Sequence, residues 1–391
     1  MIGKVIVSLA LILACAYFLV LAWLLLGLFK IKRNTKQRAY KPFFVSVIVA
    51  TRNEEENVAR CLKSLLDQTY PKELYELILV DDKSTDNTFS IARSFARKDD
   101  RLKLLSTTEY HALTGKQHAL DAGIRASRGE IILTTDADCK PPPRWIEDTV
   151  REFDPDVGLV AGYSLFEEDI SHHGILQRTF AKLQSLELLS QYFFSMGSMS
   201  QGIAWTCTGN NLAYRREVYK ELGGYETLGL TGLEDNMLLQ WVGRNSNWKV
   251  KPACNVVYTK PMKTVRRFFA QRIRWASSSL QYRLSLVAFM VIAYGLNLAL
   301  LFLIGLSAFG VISYKELIIF LSLKIVPEFL LVLKGLTLFN KVDLVRYFPL
   351  IQPLHVMYVL ICGIHGLSGK FAWRGRKYRE VKAEEGMQSA E

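Results

Sequence analysis

Long apolar stretches lie near both ends of the chain, and the middle has a different pattern. Val5 to Phe29 contains no charged residue, and a helix of that length crosses a hydrocarbon core of about 30 Å. Lys30 and further basic residues follow directly, where a secretory signal would have a shorter apolar region and a small-residue cleavage site. The pattern therefore predicts an uncleaved membrane anchor, with a cleaved signal peptide as the alternative.

Three more apolar stretches follow the middle of the chain. Leu284 to Tyr314 is free of charge and is predicted to span a membrane. Leu317 to Leu336 contains Lys324, Glu328 and Lys334, and charges near a bilayer centre are costly unless they are paired. Tyr347 to Leu367 contains prolines and histidines, so a re-entrant or interfacial helix fits as well as a crossing.

Basic residues beside these stretches predict the orientation. They are Lys30, Lys32, Arg33, Lys36 and Arg38 after the first stretch, and Arg266, Arg267, Arg272 and Arg274 before the next. Lys and Arg favour the cytoplasmic side, so the middle of the chain is expected in the cytosol. The basic tail around Arg374 to Arg379 is expected there too, which requires an even number of C-terminal crossings. We therefore expect one of the last two stretches not to cross, and a location in a bacterial inner membrane.

The middle of the chain alternates β-rich runs with helical patterns. The predicted strands are Phe43 to Ala50, Tyr75 to Val80, Leu102 to Leu105 and Glu130 to Thr135. Helical patterns separate them, and Asn53 is expected to cap the first of these helices. This alternation predicts an α/β domain with a mostly parallel, Rossmann-like sheet, whose ligands bind at the carboxyl ends of the strands.

Composition narrows the class of protein further. The net charge is +12 over 391 residues, but the basic residues cluster beside apolar stretches, which favours membrane lipids and a phosphorylated substrate over nucleic acid. The six cysteines form no CxxC pair, so neither a disulfide framework nor a zinc site is expected. The Gly-rich fingerprints of dinucleotide and P-loop proteins are absent from the sequence, which argues against a dehydrogenase or an NTPase.

Acidic residues follow two of the predicted strands. Asp136 and Asp138 lie directly after the fourth strand, and their carboxylates suit a divalent cation, Mg²⁺ or Mn²⁺, that would bind a diphosphate. A chance D-x-D in a surface turn is the alternative. Asp81 and Asp82 end the second strand at the same expected edge of the sheet, where a base and ribose would be held.

Three further groups of residues have both a functional and a structural interpretation, and a fourth has neither. Lys116 opens a predicted helix and is expected to meet a phosphate, unless it is merely solvated. Glu234 and Asp235 form a second carboxylate pair, which a favourable helix-dipole interaction would also explain. The Thr208 to Asn211 segment receives no assignment. Gln271 to Trp275 precedes an apolar stretch, and an interfacial belt of Arg and Trp is its alternative.

In combination these pieces resemble the inverting family 2 glycosyltransferases, especially the membrane-embedded branch with cellulose and hyaluronan synthases. The matching segments are Ala50 to Glu54, Val80 to Asp86, Asp136 to Asp138, Glu234-Asp235 and Gln271 to Trp275. Each is weakly specific alone, but together they occur in the family's order. The resemblance implies a GT-A fold.

The resemblance also implies a role for each matched residue. Donor binding would fall to Thr51, Arg52, Glu54, Asp81, Asp82, Lys116, Asp136, Gln271 and Arg274. Asp136 and Asp138 would serve the metal, Trp275 would pack beside the acceptor sugar, and Asp235, with Glu234 next to it, would be the general base. The sequence departs from the synthases at Leu233, where they have threonine, and in having few spans after the domain. The second departure weakens any expectation of polymer secretion through the protein's own channel.

The expected organisation is a membrane anchor with its basic flank (1–40), a GT-A domain (41–275), a C-terminal membrane region (276–370) and a cytosolic tail (371–391). The expected function is hexosyl transfer, with inversion, from a nucleoside-diphosphate sugar, with UDP as the expected nucleotide, to a lipid-linked or polysaccharide acceptor. A catalytically silent nucleotide-sugar-binding scaffold is the alternative. A transporter is a third class, which Lys324 and Glu328 favour and the large α/β domain does not.

Overall fold

A computed structural model describes residues 2–31, 41–107, 113–167, 174–229, 231, 233–277, 281–366, 370–373, 376–379 and 388–390. The chain divides into two compact units. The sheet unit comprises Asn34–His172, Gly202–Pro261 and Ala372–Glu391, and the helical unit comprises Met1–Arg33, His173–Gln201 and Met262–Phe371. By contacts, residues 173–201 therefore group with residues 1–33 and 262–371, whereas the predicted division at residue 275 was drawn from sequence order alone.

The sheet unit is built on seven strands. They are β1 (Val45–Thr51), β2 (Tyr75–Asp81), β3 (Leu102–Ser106), β4 (Ile131–Asp136), β5 (Val157–Phe166), β6 (Leu212–Arg215) and β7 (Lys249–Thr259), in the spatial order β3-β2-β1-β4-β6-β5-β7. β1 pairs in parallel with β2 and β4, and β2 with β3, while β6 runs antiparallel to β4 and β5. The prediction of a mostly parallel α/β sheet is confirmed.

Helices flank this sheet because their apolar faces pack against buried strands. They are α2 (Val58–Leu66), α3 (Thr88–Ala96), α4 (Gly115–Ala126), α5 (Trp145–Val150), α7 (Arg216–Leu222) and α8 (Glu234–Asn245). The expectation that Asn53 caps α2 is wrong, because Asn57 holds that position. Asn53 has a positive φ of 52° and its side-chain oxygen accepts a hydrogen bond from the Thr85 N–H at 2.8 Å. It therefore joins the loops after β1 and β2.

The helical unit comprises α1 (Ile2–Lys30), α6 (Ile175–Ser200), α9 (Val265–Ser277), α10 (Leu284–Ala308), α11 (Tyr314–Leu338) and α12 (Phe348–Gly366). Among the described residues, three segments are long and apolar enough to cross a membrane: Ile6–Lys30, Leu284–Ala308 and Val342–His365. By the same criteria α11 does not qualify. Three short strands near the C-terminus, β8 (Lys370–Trp373), β9 (Arg376–Arg379) and β10 (Gln388–Ala390), form a separate sheet.

The charges that weaken the apolar pattern of α11 are buried and paired. The Lys324 ammonium lies 2.8 Å from the Glu328 carboxylate, and their side chains are 2% and 8% exposed. Tyr17 donates a hydrogen bond to Glu328 at 2.7 Å, and Gln352 donates another at 2.9 Å. This pairing explains how two charged side chains are tolerated inside an apolar bundle.

Some residues used to predict orientation lie outside the described part of the chain. They are Lys32, Arg33, Lys36 and Arg38 after α1 and Arg374 in the tail. Arg272 is described, and it is not an exposed flanking charge: the residue is 2% exposed in the helical unit. The orientation itself stays a prediction.

Candidate functional site

The carboxyl ends of β1 and β2 contain two buried oxygen atoms that lack a hydrogen-bond partner in the described part of the chain. Thr51 and Asp81 are neighbours in the parallel register and are each 3% exposed. One carboxylate oxygen of Asp81 accepts a hydrogen bond from the Ser84 N–H at 3.0 Å. Among the described residues, the other oxygen and the Thr51 hydroxyl have no hydrogen-bond partner. Buried polar atoms are costly when unsatisfied, so this pair is suited to a polar ligand.

The other residues expected to bind the donor at this edge hold its loops together. Arg52 donates a hydrogen bond to the Asp82 carbonyl at 2.7 Å and lies 3.5 Å from its carboxylate. The Asp82 carboxylate also accepts a hydrogen bond from the Thr107 hydroxyl at 3.1 Å. Glu54 is 6% exposed and accepts a hydrogen bond from the Asn57 amide at 2.8 Å. These contacts make the edge rigid, and donor binding by these three residues remains a prediction.

The turn after β4 presents two carboxylates. β4 ends at Asp136, and the Cys139 N–H donates a hydrogen bond back to the Asp136 carbonyl at 3.0 Å. Arg60 donates a hydrogen bond to the Asp138 carbonyl at 2.7 Å. Burial, and then the negative charge of Asp136, raise the pKa of Asp138 to about 6. The turn therefore concentrates negative charge where a cation would be stabilised.

The carboxylates of Asp136 and Asp138 fit a metal ion that takes its remaining ligands from substrate or water. Asp136 and Asp138 offer hard oxygen atoms, which Mg²⁺ and Mn²⁺ prefer. In the described part of the chain, no three His, Cys, Asp or Glu side chains converge as a metal site. Mg²⁺ is commonly bound through one or two carboxylates plus substrate phosphates and water. The two carboxylates of Asp136 and Asp138 match that mode.

Lys116 joins two acidic segments that are far apart in sequence. Its ammonium lies 2.9 Å from Asp136 and 3.2 Å from Glu234. Gly115, which starts α4, has a φ of 62°, a conformation that glycine adopts without strain and that sets the position of Lys116. Burial lowers the pKa of Lys116, but the charges of Asp136, Glu234 and Asp235 outweigh this and raise it above its usual range. Lys116 therefore contacts carboxylates here, where the sequence predicted a phosphate.

Asp235 lies at the start of α8 beside the loop that precedes β6. One of its oxygens accepts a hydrogen bond from the Asn236 N–H at 2.8 Å. A Cβ at Gly209 would lie only 3.0 Å from the other oxygen, so a larger residue there would require the carboxylate or the loop to shift. Burial, and then the charge of Glu234, raise the pKa of Asp235 to about 6. A carboxylate with a raised pKa suits proton transfer near neutral pH.

The same loop contains two polar residues to which the sequence assigned no role. The Thr208 hydroxyl and the Asn210 side-chain oxygen are buried and, among the described residues, lack a hydrogen-bond partner. The Thr134 hydroxyl holds the loop by donating to the Gly209 carbonyl at 2.9 Å. The Thr208 to Asn211 segment was visible in the sequence, but its proximity to Asp235 was not. Both side chains become candidates for contact with a sugar hydroxyl.

The remaining predicted site residues belong to the helical unit. Gln271, Arg274 and Trp275 lie on α9. The acidic site lies wholly in the sheet unit, whereas these three residues belong to the other unit. Their assignment to the donor and the acceptor therefore stays a prediction.

An open α/β sheet with a mostly parallel core belongs to the class of domains whose ligands bind at the carboxyl ends of the strands, where this chain has its acidic, lysine-containing edge. Residues 46–223 match the model of the family described as glycosyl transferase family 2. The matched segment is less than half of the chain, and it is similar to the family that the sequence motifs resemble.

The solved structure of a mannosyltransferase from Pyrobaculum calidifontis, in complex with GDP-Man and Mn²⁺, shares this fold. Its TM-score is 0.58 at 21% identity, over 90% of this chain and 99% of that one. The GT-A fold with flanking candidate membrane helices is thus confirmed.

Curated relatives match over parts of their length. Glycosyltransferase AglE of Haloferax volcanii is 41% identical over 120 residues, which are 30% of this chain and 38% of that protein. A probable glycosyltransferase, YdaM, of Bacillus subtilis is 29% identical over 247 residues, or 59% and 54%. A beta-monoglucosyldiacylglycerol synthase of Nostoc sp. is 29% identical over 243 residues, or 61% and 49%. The chain spans about half the length of these relatives or less.

Proposed function

We propose that this protein is a membrane-anchored, hexosyltransferase-type glycosyltransferase that moves a sugar from a nucleoside-diphosphate donor to a lipid-linked or polysaccharide acceptor, with inversion. The observation that supports this best is the Lys116 cluster. It brings Asp136, from the predicted metal-binding pair, and Glu234, from the predicted base pair, onto one ammonium group at 2.9 and 3.2 Å. Donor-side and acceptor-side chemistry would then share one edge of the sheet.

The donor nucleoside would bind at the ends of β1 and β2. Thr51 and Asp81 offer unpaired, buried oxygen atoms there, which match ribose hydroxyls and the polar edge of a base. The nearby Arg52 to Glu54 loop would close over them. UDP is the expected nucleotide, and a guanosine nucleotide is the main competitor because the solved structure with the same fold contains GDP-Man.

Asp136 and Asp138 would hold a divalent cation, which would neutralise negative charge on the leaving diphosphate. Lys116 would exchange part of its contact with Asp136 for a phosphate oxygen. Burial and the repulsion from Asp136 raise the pKa of Asp138, and a bound cation would relieve that repulsion. The metal requirement is part of the proposal.

Asp235 would remove the proton from the acceptor hydroxyl as that oxygen attacks the anomeric carbon. The bond to the diphosphate breaks in the same displacement, and a single displacement inverts the configuration at that carbon. The Gly209 N–H and the Asn236 N–H donate to the Asp235 carboxylate, which fixes its orientation. Helix-dipole stabilisation of α8 remains the alternative role for Glu234 and Asp235.

A lipid-linked acceptor fits the flanking candidate spans, and one matched relative is a beta-monoglucosyldiacylglycerol synthase. In the deciding experiment the protein is reconstituted in lipid and incubated with UDP- or GDP-sugars and with Mg²⁺ or Mn²⁺. Each incubation is done with and without a membrane-lipid extract. We expect released nucleotide and a glycosylated lipid. Tight nucleotide-sugar binding without transfer to any acceptor would favour the silent scaffold, and solute flux without transfer would favour a transporter.

The pH dependence of transfer should have an acidic limb. Burial and the Glu234 charge raise the pKa of Asp235 to about 6, and a base works only when deprotonated. We therefore expect kcat/KM to be level above that pH and about tenfold lower one pH unit below it. The measurement is kcat/KM from pH 5 to 8 at saturating metal. A level profile over this range would contradict the role of Asp235.

The sheet unit should face the cytosol, because basic residues flank it and nucleotide sugars are made there. Ser106, at the end of β3, is exposed. A Ser106→Cys variant in a Cys15→Ser background should resist a membrane-impermeant thiol reagent in intact cells and react after the membrane is opened. Labelling from outside, well above the Cys15→Ser parent, would reverse the orientation.

A further inference from the structure

The helical unit contains a buried ion pair that the proposed reaction does not use. Glu187 on α6 and Arg272 on α9 have side chains that are only 7% and 1% exposed. The Arg272 Nε lies 3.1 Å from each carboxylate oxygen, and Nη2 donates a further hydrogen bond to the same carboxylate. Gln191 and Tyr358 also donate to Glu187. Arg272 is therefore fixed in one geometry from several sides.

Arg272 in turn contacts two of the residues expected to act in transfer. Its Nη1 donates a hydrogen bond to the Gln271 side-chain oxygen at 2.7 Å. Its guanidinium lies over the Trp275 ring, 4.2 Å from the ring centroid, and 4.7 Å from the Phe268 centroid. A planar guanidinium can pair with a carboxylate and stack on an aromatic ring at the same time, which an ammonium cannot do.

Further contacts join α6 to α9 and to the segment that precedes α9. The Gln184 side chain donates to the Met262 carbonyl at 3.1 Å and accepts from the Met262 N–H at 2.9 Å. Phe180 packs edge-on against Phe268 with centroids 6.1 Å apart. Apolar packing alone would hold these helices together at least as well as a buried ion pair does. The Glu187–Arg272 pair is therefore better explained by a role in orienting the side chains that Arg272 contacts.

We propose that Glu187 is a positioning residue, which acts through Arg272 to set the orientation of the Trp275 indole. This inference rests on the proposed function, in which Trp275 packs beside the acceptor sugar. Trp275 is only partly buried, so part of its side chain is accessible to a ligand. A misplaced ring would weaken acceptor use far more than donor use.

Kinetics with a matched control test this role. The variants are Glu187→Gln, Trp275→Phe and their combination, with Glu328→Gln as the control, because Glu328 is also a buried, ion-paired glutamate of the helical unit. The protein is reconstituted in vesicles containing dioleoylglycerol or a polyprenyl phosphate, with UDP-glucose or GDP-mannose as donor. We expect Glu187→Gln to lower kcat/KM for the acceptor by about 10- to 100-fold, with the donor Kd changed less than threefold.

The combination separates positioning from general damage. If Glu187 acts through Trp275, the double variant should transfer no more slowly than Trp275→Phe alone. Additive losses, or an equal loss of acceptor use in Glu328→Gln, would overturn the proposal. Arg272→Lys should reproduce the Glu187→Gln defect, since lysine keeps the charge but loses the fork and the stacking.

A readout that needs no turnover separates this inference from the proposed function. In protein labelled with 5-fluorotryptophan, the Trp275 fluorine resonance is assigned by its loss in Trp275→Phe. It should shift or broaden in Glu187→Gln and stay in place in Glu328→Gln. An unchanged resonance in Glu187→Gln would overturn the positioning role. If no donor and acceptor give transfer while the resonance responds as expected, the proposed function fails and the contact through Arg272 stands.

Discussion

Asp235→Asn should abolish sugar transfer almost completely while the protein stays folded and binds its donor. Asn keeps an oxygen that can accept from the Asn236 N–H, as Asp235 does at 2.8 Å, but it cannot take a proton from the acceptor. Loss of general-base catalysis lowers the rate by about 10²- to 10⁴-fold. The measurement is single-turnover transfer together with equilibrium nucleotide-sugar binding in the same preparation.

The control for this experiment is a carboxylate that also starts a helix. Asp148 lies in the first turn of α5, and its side chain is 45% exposed beside Arg144. Loss of a helix-start charge costs about 0.3–1 kcal/mol of stability, so Asp148→Asn should leave transfer unchanged. If Asp235→Asn transfers at nearly the wild-type rate, the helix-dipole explanation is sufficient, and the base must be Glu234 or another group.

Removal of divalent cations should eliminate turnover, and Asp138→Ala should lower it by at least about 10²-fold, comparable to the loss of one group that stabilises charge in a transition state. The physical reason is that the leaving diphosphate develops charge beside Asp136 and Asp138, which can hold a cation but cannot neutralise that charge themselves. Turnover is measured after exhaustive chelation and again after Mg²⁺ or Mn²⁺ is restored.

An exposed carboxylate of the same sheet unit is the control for Asp138→Ala. The side chain of Asp156 is 52% exposed and pairs with Lys249 at the surface, where an ion pair contributes about 0–1 kcal/mol. Asp156→Ala should therefore be as active as the parent. Full turnover after chelation, or in Asp138→Ala, would remove the metal from the proposed mechanism.

Several elements of the fold were predictable because they follow from local patterns. The strand predicted from Tyr75 to Val80 is observed as Tyr75–Asp81, and the strand predicted from Glu130 to Thr135 is observed as Ile131–Asp136. Apart from Glu76 and Glu130, both runs are apolar or β-branched, which is typical of buried parallel strands. The polar residues that follow them had to lie at one edge, because parallel strands end on the same side of a sheet.

The capping prediction for Asn53 shows where local reasoning was insufficient. Asn is a good helix cap by its chemistry, and the sequence offers both Asn53 and Asn57 before α2. The Asn53 side chain does not cap α2, because it accepts a hydrogen bond from Thr85 in the loop after β2. A hydrogen bond between residues 32 positions apart has no signal in the local pattern.

The sequence by itself determined the α/β class, the resemblance to family 2 glycosyltransferases and the acidic edge of the sheet, since these depend on strand periodicity and on short motifs in a fixed order. Only the tertiary structure placed Lys116 between Asp136 and Glu234, set Gly209 against Asp235, and buried Arg272 against Glu187. These contacts join residues that are far apart in the chain. Their partners are chosen by how helices and strands pack, so the identity of a residue could be read from the sequence, but the group that it faces could not.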